Sequence, residues 1–206
     1  MGEPRRSQQA RRDQSHRALL HSAAELVVEH GVRALTLARV GEQAGYSRGI
    51  VTHHFGSKAA LLEQLARTTQ IGFVPGLSEV PAGLERLLRL IDGYIEQLDQ
   101  VGVLHHAFLA LWADAASHPE LTSIFRERDR TFRADLRDDV LSGITAGHIR
   151  PETDPEAVAV AVVGQLRGIG LQRLLSPEAV DVEQVRQTVT GYWDRAIRRP
   201  SPERAL

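Results

Sequence analysis

From Leu19 to Ile197 apolar residues return every three or four positions, and that spacing commits most of the chain to amphipathic α-helix. The first stripe is Leu19, Leu20, Ala23, Ala24, Leu26 and Val27, which Gly31 stops after about four turns. Leu84, Leu87, Leu88, Ile91, Ile95 and Leu98 form another, and a further one begins over 103–112. A long stripe then runs through Leu121, Ile124, Phe125, Phe132, Leu136, Val140 and Ile144. Few segments alternate with period two, and the chain has no asparagine from which to make an Asn-Gly hairpin turn. The expected fold class is all-α.

Side chains that accept from otherwise unpaired helix N–H groups mark where the helices start. Thr36 caps a short helix over Leu37 to Gln43, broken at Ala44-Gly45, and Ser47 caps a second that runs through Phe55. Gly56-Ser57-Lys58 repeats the stop and start, with Leu61, Leu62, Leu65 and Ala66 as the next buried stripe. Asp154-Pro155 opens a later helix, and Asp181 with Gln184 three positions on opens the last; they end near Ser176 and Arg198. Residues 72–81 hold two prolines and two glycines and read as a boundary loop.

With 206 residues and 42% hydrophobic content, such helices bury a core without help from metals or disulfides. Cysteine is absent, which removes thiolate metal sites and thiol nucleophiles and suits a reducing, cytoplasmic location. Arg5, Arg6, Arg11 and Arg12 lie among Ser and Gln with no apolar stretch behind them, so residues 1–14 read as a mobile basic arm and not as a signal peptide. The longest unbroken apolar run, 157–163, is seven residues, against roughly 20 for a membrane-spanning helix, so no membrane partner is expected. The net charge of -1 conceals an asymmetry: residues 1–68 hold ten Lys/Arg and six Asp/Glu, whereas residues 69–206 hold fifteen and twenty. The basic part is where a polyanion would bind.

Thr36 to Phe55 thus comprises two short helices joined by a glycine-containing turn, the sequence form of a helix-turn-helix. The first packs through Leu37, Val40 and Ala44; the second buries Ile50 or Val51 together with Phe55, which turns Arg48, Gly49, Thr52 and His53 outward. Helix starts near Thr36, Ser47 and Ser57 offer unpaired N–H groups to anions, and Lys58 adds a full charge.

Leu35-Thr36, Ala44 to Gly49 and His53 to Lys58 together resemble the DNA-binding domain of the tetracycline-repressor (TetR) family over residues 15 to 65. The resemblance implies that Thr36, Ser47, His54 and Lys58 hold phosphates while Arg48, Gly49, Thr52 and His53 face base edges, with Arg39 added to the DNA-facing set. Many members carry tyrosine where Thr52 stands and threonine where Ile50 stands. It further implies a DNA-binding domain over 15–68 and a C-terminal helical domain over 69–206 for ligand binding and dimerisation. The function expected is a homodimeric repressor, released from palindromic double-stranded operator DNA by a small-molecule inducer, with no cofactor, and with the helix at 57–71 as the lever.

In the C-terminal part, His105, His106, Phe108, Trp112, Phe125, Arg128 and Phe132 combine apolar walls with polar groups as a ligand pocket does, and read equally well as an aromatic core stripe. Ala161, Gly164 and Gly168 form a small-residue face, which with Val185, Val189 and Trp193 makes a four-helix dimer interface or an intramolecular packing. Gly45-Tyr46-Ser47-Arg48-Gly49 matches the hydrolase nucleophile elbow, but that motif needs a strand before Ser47. The adjacent pairs His53-His54 and His105-His106 point apart on a helix, so no metal site and no catalytic residue is expected. The other readings are an activator or helical adaptor with the same DNA-binding domain and, more remotely, a helical hydrolase using Ser47.

Overall fold

The computed structural model describes residues 8–69, 74–99 and 102–200. Among the described residues the regular structure is helical, apart from one antiparallel bridge between Ile149 and Arg198. The helices are α1 (Gln8–His30), α2 (Leu37–Ala44), α3 (Arg48–Phe55), α4 (Lys58–Thr68), α5 (Leu84–Glu96), α6 (Val103–Asp114), α7 (Pro119–Thr145), α8 (Pro155–Leu175) and α9 (Val182–Ile197). They gather into two compact units, one formed by the described residues up to 69 together with 102–125, the other by 74–99 together with 126–200.

In the first unit α1 is the central helix, burying Leu19, Leu20, Ala23, Ala24, Leu26 and Val27. α2 and α4 pack against it and α6 lies along it. α1 begins well before its apolar stripe, so residues 8–14, expected as part of an arm, are helical, while residues 1–7 lie outside the described residues. Gln8 to Arg17 contains neither glycine nor proline, and its Gln, Ala and Arg residues are good helix formers. α6 buries Ala107, Phe108, Leu109 and Leu111, positions that span more than one face of the helix. That apolar girth accounts for its inclusion in the first unit, although it follows the boundary loop in sequence.

In the second unit α5 packs against α9 and α8 around Leu87, Ile91, Ile95, Leu136, Val140, Val162 and Leu166. Asp154 caps α8 by accepting from the N–H groups of Glu156 and Ala157 at 2.9 and 3.2 Å, with Pro155 in the first turn. α8 is long and apolar enough to cross a membrane by length and composition, yet Val158, Ala159, Val162, Val163 and Leu166 belong to the core of this unit. Asp181 caps α9 by accepting from the Gln184 N–H at 3.0 Å.

Candidate nucleic-acid interface and ligand cavity

The helix-turn-helix is held by its caps and by two glycines. Thr36 Oγ1 accepts from the Arg39 N–H, Ser47 Oγ from that of Ile50 and Ser57 Oγ from that of Ala60, at 3.2, 3.4 and 3.1 Å. Gly45 ends α2 at φ 74°, in the left-handed region that favours glycine. At Gly41 the turn comes so close that the Tyr46 N–H donates to its carbonyl at 2.7 Å, and a Cβ there would stand 2.7 Å from the Tyr46 carbonyl oxygen. Val40, Val51 and Phe55 are buried; Ile50, the other candidate for the inner face of α3, is 40% exposed.

Arg48, Gly49, Thr52 and His53 are all exposed on α3, and Ile50 stands exposed beside them. The Thr52 hydroxyl donates back to the Arg48 carbonyl at 3.0 Å. Ser47 sits between two helices with no strand before it, so the nucleophile-elbow reading lacks its required geometry.

The residues that the family resemblance implies for phosphate binding have structural partners as well. Thr36 and Ser47 use their oxygens as acceptors within the caps, which leaves each O–H able to donate to an anion. Lys58 Nζ donates to the carbonyls of Val32 and Arg33 at 3.3 and 3.4 Å, and Arg39 Nη1 donates to that of Ala34 at 3.1 Å. His54 Nε2 is 2.9 Å from Ser15 Oγ. Burial first, then the charges of His16, Arg12 and His53, hold this imidazole below its usual pKa. Arg11, Arg12, Gln14 and Tyr46 line a cleft with Ile50, His53 and His54, so Arg11 and Arg12 of the expected arm stand on α1 beside the C-terminal turns of α3, while Arg5 and Arg6 lie outside the described residues. A polar residue in the buried stripe of α1, Ser15, was the available sequence signal for that junction.

The second unit holds a solvent-open cavity of about 450 Å³ among α5, α7, α8 and the turn at 76–78, within the usual range of ligand pockets. Of the residues expected at a pocket, Arg128 and Phe132 line it. His105, His106, Phe108, Trp112 and Phe125 fall in the first unit, where the rings of Phe108 and Phe125 lie 5.6 Å apart and His105 is buried. The cavity's other polar walls are Tyr94, Arg167, Asp135 and the ion pair Arg86–Asp139 at 2.6 Å. Arg167 was legible in the sequence as a cation four positions after Val163 in an otherwise apolar stripe.

Of the residues assigned to a dimer interface, Ala161 and Gly164 are exposed and Gly168 is half-buried, with no side chain or backbone within 4 Å of where a Cβ would stand on either glycine. Val189 and Trp193 are instead buried in the second unit, with Val185 packed against them and Trp193 Nε1 donating to Gln165 Oε1 at 2.7 Å. One helical stripe faces one way, so α9 spends these residues inside the chain and presents Tyr192 to solvent. Among the described residues no three His, Asp or Glu side chains gather as a metal site.

Residues 83–198 match the family model for the C-terminal region of BetI-type transcriptional repressors, and residues 19–65 match the model for bacterial regulatory proteins of the tetR family. The HTH-type transcriptional regulator BetI 1 of Chromohalobacter salexigens is 25% identical over 191 residues, covering 89% of this chain and 90% of its own. Native NalD, the secondary repressor of the MexAB-OprM multidrug efflux pump in Pseudomonas aeruginosa, shares the fold with a TM-score of 0.78 at 19% identity, over 92% of this chain and 100% of that one. A transcriptional regulator of Saccharomonospora viridis crystallised with choline shares it with a TM-score of 0.76 at 22% identity, over 91% and 100%.

Proposed function

Since the chain belongs to the TetR family of bacterial transcriptional regulators and carries a BetI-type repressor C-terminal region, we propose that it is a homodimeric repressor released from its operator by a small molecule. The observation that carries this reading is α3 itself: a capped helix burying Val51 and Phe55 while Arg48, Gly49, Thr52 and His53 remain exposed. Arginine suits bidentate contact to guanine in the major groove, the Thr52 and Ile50 methyls suit thymine, and Gly49 lets the backbone come close. Thr36, Ser47 and Lys58, with Arg39, hold the adjoining phosphates from the starts of α2, α3 and α4, and His54 does so through the nitrogen not facing Ser15.

A second copy docks on the open small-residue face of α8, and two-fold symmetry sets the two copies of α3 about 34 to 36 Å apart or somewhat more, on a palindromic site. The cavity of the second unit receives the effector. A helical regulator that grips DNA and a diffusible ligand belongs in the cytoplasm. Selection of bound fragments from a genomic pool should recover a palindromic duplex, and deletion of the gene should raise expression from the promoter containing it. A fall in that expression would instead make the protein an activator.

A further inference from the structure

We propose that the first turns of α1 belong to the nucleic-acid interface, where Arg11 and Arg12 hold the sugar-phosphate backbone beside the bases that α3 reads. The proposal rests on reading α3 as the recognition helix and adds a second set of phosphate contacts to it, separate from Thr36, Arg39 and Lys58.

The inward face of α1 runs through Ser15, Leu19, Ser22, Ala23 and Leu26, all buried. Seven, four and three positions before Ser15, the same face carries Gln8, Arg11 and Arg12, all exposed. The stripe therefore turns from apolar to cationic where the core ends, while the helix continues. A protein helix draws most of its stability from packing one face, and these turns bury none of theirs within the chain. Two guanidiniums on that face suit an anion as its cover. The nearest acid in sequence, Asp13, is turned elsewhere and accepts from Gln9 Nε2 at 2.8 Å.

Two contacts fix this face against the end of α3. His54 Nε2 lies 2.9 Å from Ser15 Oγ, and the His16 ring stacks on Phe55 with centroids 5.1 Å apart and planes 27° from parallel. Arg11 and Arg12 thus line one cleft with Tyr46, Ile50 and His53. Ile50 and His53 are exposed on the helix that faces base edges, so a duplex seated on α3 brings its own backbone past the two arginines. Lys58 and Arg39 are tied instead to the carbonyls of Val32, Arg33 and Ala34, partners that Arg11 and Arg12 do not share. Solvated arginines on a phosphate strand add affinity through released counterions and carry no sequence information.

Fluorescence anisotropy of the full-length protein on the selected operator and on scrambled duplex, from about 50 to about 200 mM salt, tests the assignment. The double variant Arg11→Gln, Arg12→Gln should lower the logarithmic salt dependence by about 2 on both duplexes. Over that range the wild type should therefore lose about tenfold more affinity than the variant. The preference for operator over scrambled duplex and the melting temperature should stay those of the wild type, since both side chains are exposed and glutamine is a good helix former. Arg17→Gln removes an exposed charge of the same helix that does not line the cleft, and should leave the slope unchanged. An unchanged slope in the double variant overturns the proposal. So does an equal effect per charge from Arg17→Gln, which would show a diffuse field in place of contacts, and so does a loss confined to the operator. A wild type with the arginine-dependent slope but no preference for any duplex would overturn the reading of α3 and leave this one standing.

Discussion

The two units use charge in opposite ways. In the first, arginine, histidine and lysine stand at the surface of short capped helices, and several of them also hold the domain together, as Lys58 does through the Val32 and Arg33 carbonyls. In the second, Arg167 is buried against the Tyr94 and Phe132 rings and Arg128 lies half-buried over Phe132. A surface that must accept any phosphate backbone can be solvated and modest in its individual contacts, whereas a cavity that must distinguish one solute has to desolvate its polar groups. Mutations should therefore act on affinity and salt dependence in the first unit and on chemical preference in the second.

The largest effect expected is on the frame of the first unit. Gly41→Val places side-chain atoms where a Cβ alone would already stand 2.7 Å from the Tyr46 carbonyl; about 1–3 kcal/mol of stability should be lost, read as a lower melting temperature, together with operator binding. The reciprocal test on the second unit is Asp154→Ala, which removes the cap of α8 and should cost about 1 kcal/mol. Amide exchange should then quicken in α8 while α2 and α3 keep their protection, and equal quickening in both would erase the distinction between the units.

Lys58→Ala should weaken every duplex alike and lower the logarithmic salt dependence by about 1. An unchanged slope with a lowered melting temperature would assign Lys58 wholly to its two carbonyls. The smallest effect is on pH. His54 has a lowered folded-state pKa, so as pH falls through its ordinary value near 6.5 the unfolded chain takes up the proton first. Stability is complete above that value and declines below it. Melting from about pH 7.5 to about 5.5 should fall further for the wild type than for His54→Gln.

The contrast also decides what was legible in the sequence. Caps and glycines act locally, so Thr36, Ser47, Ser57, Asp154 and Asp181 could be assigned from neighbours three residues away, and each accepts the N–H expected of it. Exposure on a helix as short as α3 is harder, because Ile50 and Val51 differ by only about 100° of rotation and the packing of α2 chooses between them. The cavity was only partly visible: Arg128 and Phe132 lie one turn apart on α7, but Tyr94 and Arg167 reach it from α5 and α8, 73 positions apart in sequence. The fate of the α9 stripe was equally non-local, since a run of Val189 and Trp193 fits a partner subunit as well as its own core until α5 is seen against it.

The central claim is that α3 reads base sequence, and Arg48 tests it most directly. Fluorescence anisotropy of the wild type and Arg48→Ala, on the selected operator and on scrambled duplex at matched salt, separates base reading from phosphate binding. The account predicts that Arg48→Ala loses about 1–3 kcal/mol on the operator and much less on the scrambled duplex, so the two affinities converge. Equal losses on both duplexes would make Arg48 a phosphate contact and contradict the account.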